Sequence, residues 1–168
     1  MNSADLLADA FERVREEVQS AVDGLSEDEL AVRLDSGANS IAWLVWHLTR
    51  VQDDHIADAA GTEQLWTSEG WAERFGLPFP PEATGYGHRS KDVAAVRADA
   101  ELLIGYYDAV HENTLAFVRG LRDSDLDRIV DERWTPAVTL GVRLVSVVAD
   151  DLQHVGQAAF IRGAIRRR

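Results

Sequence analysis

Apolar residues recur at three- and four-residue steps along the first 25 positions of the chain, with charged residues between them. This spacing gathers the apolar side chains on one face of an α-helix. It predicts a long amphipathic helix over residues 1–25. Ser26 followed by Glu29 has the pattern of a capping box, which predicts a short helical turn through about Leu34. The apolar positions of the first helix are Leu7, Phe11, Val14, Val18, Val22 and Leu25.

A second helix is predicted from Ile41 to about Ala60, and its first six residues, IAWLVW, are apolar around the whole circumference. A helix segment of this composition is expected to be buried on every side. Over residues 61–89 the periodicity weakens, and glycine, proline and aromatic residues dominate. A loop of this length inside a compact domain is typically functional or packed. We therefore expect the segment to cover part of the helical core, with a helical turn near residues 67–75.

Two further helical patterns follow. The third covers residues 90–121, with Ser90 as its N-cap and a kink near Asp99 or Gly105, and a polar turn is expected over 123–131. The fourth covers residues 140–166, and no run of strand character is long enough to build a sheet. Four long helices with one long connection predict an all-α protein, an antiparallel four-helix bundle with a long loop between helices 2 and 3. A chain of 168 residues suits a single domain over 1–168.

Charge and composition narrow the classes of function. The chain has 17 Lys and Arg against 29 Asp and Glu, a formal net charge of −12. Such a surface repels phosphate backbones and anionic lipids, so we expect neither nucleic acid nor a membrane as partner. The absence of cysteine excludes disulfides, thiolate ligands and cysteine nucleophiles. With no secretory signal and no apolar run of transmembrane length, a cytoplasmic protein is expected.

Polar side chains interrupt the two most apolar helices. Asp150 and His154 are four residues apart in the last helix, so their side chains share one face. A carboxylate and an imidazole at this spacing suit one divalent cation, with a third ligand from another helix. The same spacing is also typical of an ordinary surface pair. Periodicity alone does not choose between His47 and His55 as the third ligand, or between Asp150 and Asp151 as the carboxylate.

Four segments of the chain carry a resemblance to a known family: NSIAWLVWHLTRVQDDH, EGWAERFGLP, TGYGH and RWTPAVTLGVRLVSVVADDLQHVGQAAFIRG. They resemble the DinB-like superfamily, and within it the branch related to mycothiol-dependent maleylpyruvate isomerase. The resemblance covers nearly the whole chain. It implies a four-helix bundle that holds a divalent metal with His47, Asp150 and His154. The isomerase branch has Glu-x3-His where this chain has Asp-x3-His, so Asp150 is one methylene shorter than the family's ligand.

The resemblance also implies a function. It predicts a metal-dependent transferase or isomerase that uses a low-molecular-weight thiol such as mycothiol, because the chain has no cysteine of its own. Two imidazoles and one carboxylate suit Zn²⁺ first, with Ni²⁺ and Fe²⁺ as alternatives. The competing hypothesis is a non-catalytic bundle, either a stress-related protein that binds metal or a small ligand, or a dimeric interaction module. A homodimer is expected from the resemblance and from the apolar surface of residues 41–46.

Other polar residues have weaker roles in this interpretation. Gln157 is a candidate to orient a metal ligand, and Asp54 is expected to be outer-sphere or solvated. His88 is expected in a loop near the mouth of the site, and His111 on the surface or between helices. The basic tail over residues 162–168 is expected to cap the end of its own helix, with binding of an anionic substrate or thiol cofactor as the alternative. Aromatic residues that could wall a cavity over the metal, although such residues are more typical of core, are Trp43, Trp46, Trp66, Trp71, Tyr86 and Trp134.

Overall fold

The computed structural model describes residues 1–167, and most of them are helical. Within this range the chain forms α1 (Ser3–Val22), α2 (Glu27–Leu30), α3 (Ile41–Ala60), α4 (Leu65–Ser68), α5 (Trp71–Phe75), α6 (Ser90–Ala95), α7 (Ala100–Arg119) and α8 (Leu140–Arg166). A 3₁₀ turn at Asp123–Asp127 and two short strands, β1 (Ile129–Asp131) and β2 (Val138–Thr139), precede α8. None of the helices in residues 1–167 combines the length and the apolar character needed to cross a membrane.

Each long helix begins at a side chain that accepts a hydrogen bond from the backbone of its first turn. These caps satisfy N–H groups that have no partner within the helix. Asp99 accepts from the N–H of Leu102 at 2.8 Å and so begins α7. The single helix expected over residues 90–121 is therefore two helices, α6 and α7, because the chain is extended at Val96 and restarts at Asp99. The caps of α1, α3 and α8 are Asn2, Ser40 and Thr139.

The long helices enclose two clusters of buried apolar side chains, and α1, α3, α7 and α8 contribute to both. Both α1 and α3 pack against α7 and α8. The six residues at 41–46 are at most 6% exposed, which confirms the burial predicted for the start of α3. They are buried within a single chain, however. They therefore cannot supply the dimer surface that the sequence suggested for them.

The long connection after α3 is packed against that helix. Arg50, which is 0% exposed, donates to the carbonyl oxygens of Ala83 at 3.1 Å and Pro81 at 3.3 Å. Asp53 accepts hydrogen bonds from the backbone N–H groups of Leu65 and Trp66 at 2.9 and 2.8 Å. Two buried polar residues of α3 thus hold both ends of the connection, which matches the expectation that it covers the core. It contains two short helices, α4 and α5, where one helical turn was expected.

A small antiparallel ribbon corrects the expectation of a chain without a sheet. In it Ile129 pairs with Thr139, and Asp131 pairs with Val138. Strands of three and two residues are too short to show an alternating pattern, so sequence periodicity could not reveal them. Arg143 of α8 donates to Asp131 at 3.4 Å and ties the ribbon to the long helix.

The basic residues near the end of α8 act on a different helix from the one expected. Arg162 donates to the carbonyl oxygen of Asp23 at 2.6 Å, and Arg166 donates to that of Gly24 at 3.0 Å. Both carbonyls directly follow α1, where the helix dipole favours positive charge. The basic tail therefore binds the end of α1, while Arg168 lies outside the described residues.

Candidate metal site

Three potential ligands meet where α3 packs against α8. His47 of α3 and Asp150 and His154 of α8 each offer one donor atom, and these atoms all lie within 4.8 Å of one another. Donors at such separations can reach a single cation at the usual bond lengths of about 2.0–2.2 Å after small side-chain adjustments. The structure thus brings together the three residues that the resemblance implied as ligands.

His47 is held by the long connection. Its Nδ1 lies 2.5 Å from the carbonyl oxygen of Thr84. A carbonyl only accepts, so the proton resides on Nδ1 and Nε2 keeps its lone pair for a metal. Burial lowers the pKa of His47, with only partial opposition from the bond to Thr84, so the ring is neutral at pH 7.

Gly85 permits this contact. Its φ is +99°, and a Cβ at this position would lie 2.6 Å from His47 Nδ1. Only glycine fits both the backbone conformation and the space. Sequence reasoning did not identify Thr84 or Gly85 as functional residues. Because the contact is made by the backbone, the only available signal was the glycine pair within TGYGH.

The other two ligands belong to neighbouring turns of α8. His154 Nδ1 lies 2.8 Å from the backbone carbonyl oxygen of Asp150, so its proton points along the helix and Nε2 is again free. Asp150 Oδ2 lies 3.3 Å from the same nitrogen, yet it is buried and has no hydrogen-bond partner among residues 1–167. A buried carboxylate oxygen without a donor is destabilising unless a cation or water satisfies it.

The charges of the site favour a cation. Burial alone would raise the pKa of Asp150, but the imidazole of His154, 3.3 Å from Oδ2, lowers it overall, aided by His47 and His55. Asp150 is therefore ionised at neutral pH. The nearby side-chain carboxylate of Asp150 raises the pKa of His154 against the effect of burial. A proton on His154 competes with a metal, since a ligand histidine must be neutral.

Aromatic rings surround the histidines on one side. Trp43 stacks on His47 with 4.5 Å between ring centroids, and its indole N–H donates to His88 Nδ1 at 3.1 Å. His88 is thus a loop residue beside the site, as expected. Tyr86 and Trp134 are 94% and 66% exposed and form no wall over the metal ligands.

His55 and Asp151, the alternative ligands that periodicity left open, lie outside the group of three potential ligands. His55 Nδ1 is 3.2 Å from Nη1 of Arg143, which also donates to Asp58 at 3.0 Å, so His55 belongs to a separate charged cluster. Asp151 is 0% exposed inside the core, and neither of its carboxylate oxygens has a partner among the described residues. Burial, together with the charge of Asp150, raises the pKa of Asp151 well above its usual range.

The weaker candidates occupy separate positions. Gln157 is exposed on the outer side of α8. Asp54 accepts from Gln64 Nε2 at 2.6 Å. His111 is 2% exposed, and its Nε2 lies 3.2 Å from a carboxylate oxygen of Glu12 on α1, which corresponds to the expected helix-packing role.

Comparison with known proteins now identifies the family. The sequence model of the DinB superfamily matches residues 10–158. A solved structure titled "Crystal structure of the conserved protein of locus from Enterococcus faecalis" is 29% identical, with a TM-score of 0.93, and the match covers 100% of this chain and 99% of that one. No curated protein matches the chain. With the family match extending from the middle of α1 through both α8 ligands, the chain belongs to the DinB superfamily.

Proposed function

We propose that this protein binds one divalent metal ion at His47, Asp150 and His154 and uses it to activate a low-molecular-weight thiol. One observation carries the metal assignment: three donors within 4.8 Å include a buried carboxylate oxygen that no described residue satisfies. Both histidines have a backbone carbonyl on Nδ1, which leaves each Nε2 lone pair free. This is the arrangement by which proteins orient histidine ligands.

The donor set supports an open rather than a closed site. Three protein ligands are one fewer than a structural Zn²⁺ site uses, so at least one position is left for a substrate. Zn²⁺ is the proposed metal, and Ni²⁺ and Fe²⁺ suit the same two imidazoles and carboxylate. When bound, the ion supplies a Lewis acid that stabilises a thiolate at neutral pH or polarises a carbonyl. The chain has no cysteine, so the thiol comes from outside, and mycothiol is the proposed source.

The proposed reaction is thiol-dependent transfer or isomerisation, as in the maleylpyruvate isomerase branch. We assign the long helices to the antiparallel four-helix bundle of that branch, with Asp150 at the position of its glutamate. In this assignment His47 and His154 position the ion between two helices, and Asp150 balances part of its charge. The Trp43 ring against His47 excludes water from one side of that ligand.

Metal analysis tests the metal site first, and an assay of thiol-dependent activity then tests the catalytic part of the proposal. Purified protein should contain close to one metal ion per chain, and the His154→Ala variant should contain none. Metal-loaded protein should then either isomerise maleylpyruvate in a mycothiol-dependent reaction that regenerates the thiol, or consume mycothiol by transferring it to an electrophile, and the His154→Ala variant should do neither. Retention of metal without turnover across several thiols and electrophiles would contradict the catalytic part and favour a binding protein.

The outer surface of α8 supports the second candidate, a dimeric interaction module. Exposed apolar or small residues recur there at three- and four-residue steps, with no charged residue among them. This is the spacing of a helix seam that packs against another helix. We propose a second copy of the chain as the partner, with Ala149 and Gly156 permitting close approach. The seam consists of Val142, Val145, Ala149, Leu152, Gly156 and Phe160.

Sedimentation tests this surface. The wild-type protein should be a dimer, and a Val145→Glu/Leu152→Glu variant should be a monomer with unchanged helical content. Leu6→Glu is the matched control, because Leu6 is 59% exposed on α1 and lies outside the seam. A monomeric wild type at high protein concentration would overturn the dimer.

A further inference from the structure

A polar cleft lies between α3, α8 and the two-stranded ribbon, and residues other than the three proposed metal ligands line it. Its volume is about 460 Å³, within the range of about 300–1,000 Å³ that small-molecule sites occupy. Asp54, His55 and Asp58 line it from α3, and Arg143 lines it from α8. The ribbon contributes further charged and apolar side chains.

The charges of the cleft are already paired with one another. Arg143, which is 7% exposed, donates to Asp58 at 3.0 Å and to Asp131 at 3.4 Å. Arg133 donates to the same carboxylate of Asp131 at 2.8 Å. A charged ligand would have to compete with these ion pairs, whereas a neutral ligand would not. Because the pairs join α3, α8 and the ribbon, the walls are held before a ligand arrives, which reduces the free energy lost on binding.

Hydrogen-bonding capacity remains beside these ion pairs. Asp54 and Asp58 each use one oxygen, for Gln64 and Arg143 respectively, and the second oxygen of each carboxylate still accepts. Burial and the charge of Arg143 lower the pKa of His55, so its ring is neutral at pH 7. His55 Nδ1 lies 3.2 Å from the guanidinium of Arg143, which only donates, so the proton resides on Nε2 as a donor. A hydroxyl group both donates and accepts, and a ligand with several hydroxyls therefore matches this mixture of groups.

The cleft also has an apolar part. Trp134 is 66% exposed and lines the cleft together with Val138 and Val142. A ligand that covers the indole removes apolar surface from water, which favours binding. The C–H groups of a sugar or cyclitol ring form an apolar face that suits this surface, while the hydroxyl groups lie around the edge of the ring.

The cleft adjoins the candidate metal site along both helices. Ser146 lines it and lies one turn before Asp150, about 6 Å along α8. Asp54 lies two turns after His47, about 10 Å along α3. The cleft and the three potential ligands are therefore about one to two helical turns apart on the same pair of helices.

We propose that this cleft binds a neutral polyhydroxylated ring, a sugar or a cyclitol, with its C–H face on Trp134 and its hydroxyl groups on Asp54, His55 and Asp58. Binding of the ring does not require a metal ion. In the proposed function the ring is the part of the thiol that lies away from the sulfur, and only this assignment rests on that function. Metal-free protein therefore tests the site independently.

myo-Inositol and methyl glucoside are the probes, titrated into ¹⁵N-labelled, metal-free wild-type protein. The indole N–H resonance of Trp134 and the backbone N–H resonance of Ser146 should shift saturably, with a dissociation constant on the order of 1–10 mM, the affinity typical of so small a ligand. The indole resonance of Trp66, which is 4% exposed and lies outside the cleft, should not shift. A response that does not saturate, or no response, would overturn the site.

Two further ligands test the match to hydroxyl groups and the pairing of charges. Cyclohexanol has a six-membered ring with a single hydroxyl, and it should bind at least about tenfold more weakly than myo-inositol because it forms fewer hydrogen bonds. Acetate at constant ionic strength should leave both resonances unchanged, since the arginines of the cleft are already paired. Equal affinity for cyclohexanol, or saturable binding of acetate, would overturn the assignment of a neutral polyhydroxylated ligand.

A pair of variants tests the aromatic face. Trp134→Ala should weaken the binding of myo-inositol about fivefold, the effect of losing one contact with an aromatic ring, as measured at Ser146. Tyr86→Ala is the matched control, because Tyr86 is 94% exposed and lies outside the cleft, and it should bind as the wild type does. Unchanged affinity in Trp134→Ala would overturn the placement of the ring against the indole.

Discussion

The carbonyl oxygen of Thr84 lies 2.5 Å from Nδ1 of His47, across 37 positions of sequence. A backbone group in the long connection thus selects the tautomer and orientation of a side chain on α3. Because the other ring nitrogen is the one left for a metal, the ability of His47 to act as a ligand depends on the conformation of that connection. The candidate site therefore comprises more than its three potential ligands.

Removing one ligand should separate metal binding from folding. His154→Ala should abolish tight binding and leave a helical protein, since the apolar core contributes most of the stability. At a metal concentration a hundredfold above the dissociation constant, binding stabilises the folded state by ~2.7 kcal/mol, or roughly 5–10 °C in melting temperature for this chain length. A chelator should lower the wild-type midpoint by that amount and barely change that of the variant. His55→Ala is the matched control and should keep the metal; loss of the ion from this variant, with His47→Ala still binding, would contradict the ligand assignment.

The contact between Gly85 and His47 can be tested with a second pair of variants. Gly85→Ala places a Cβ 2.6 Å from His47 Nδ1, so the ring must move. Metal affinity should fall about 10–100-fold, the usual effect of losing a group that orients a ligand. Gly87→Ala has a similar positive φ, +75°, but an open surrounding, and should retain wild-type affinity. Calorimetric titration with Zn²⁺ measures both, and equal losses would indicate general strain in the loop.

Asp151 should destabilise the folded protein rather than bind the metal. Its carboxyl group is 0% exposed and has no partner among the described residues, and burial raises its pKa well above the usual range. Because burial disfavours the ionised form, ionisation of this carboxyl group in the unfolded chain opposes folding. Asp151→Asn should retain the metal and raise the free energy of unfolding at pH 7, as measured by urea denaturation. A variant that is less stable and also loses the ion would place Asp151 in the metal site.

The two-stranded ribbon before α8 should make the stability of the folded protein depend on pH in the acid range. Hydrogen bonds from Arg133, reinforced by the charges of Arg133 and Arg143, lower the pKa of Asp131 far below its usual range. The stability from this carboxylate is therefore present above its unfolded pKa of about 3.9 and is lost as pH falls further. Asp131→Asn should lower the urea midpoint at pH 7, and the difference from wild type should shrink between about pH 4 and pH 2.

The exposed neighbour of Asp131 provides the control for that series. Glu132→Gln should leave the midpoint unchanged at every pH, because Glu132 is exposed beside the buried carboxylate. A difference for Asp131→Asn that stays constant down to pH 2 would show that the variant acts through packing rather than charge.

The sequence by itself determined which segments are helical and where polar groups enter them. Amphipathic periodicity and side-chain caps act within one or two helical turns, so the long helices at Ser3–Val22, Ile41–Ala60 and Leu140–Arg166 were predicted closely. The break before Ala100 was placed near the correct residue but interpreted as a kink. A local pattern shows that Asp99 can cap a helix, yet it does not show that the preceding turn will leave the helical path.

Only the tertiary structure decided which polar residues meet. Asp150 and Asp151 are about 100° apart around α8, so the rotation of that helix against α3 places one beside His47 and the other in the core. This rotation results from the packing of all the apolar side chains between the helices, and no local spacing encodes it. The contact between Thr84 and His47 is still harder to predict from sequence, because it is made by a backbone carbonyl group, which every residue possesses. Its position depends on where the connection is held by Arg50, and a sequence pattern cannot specify that position.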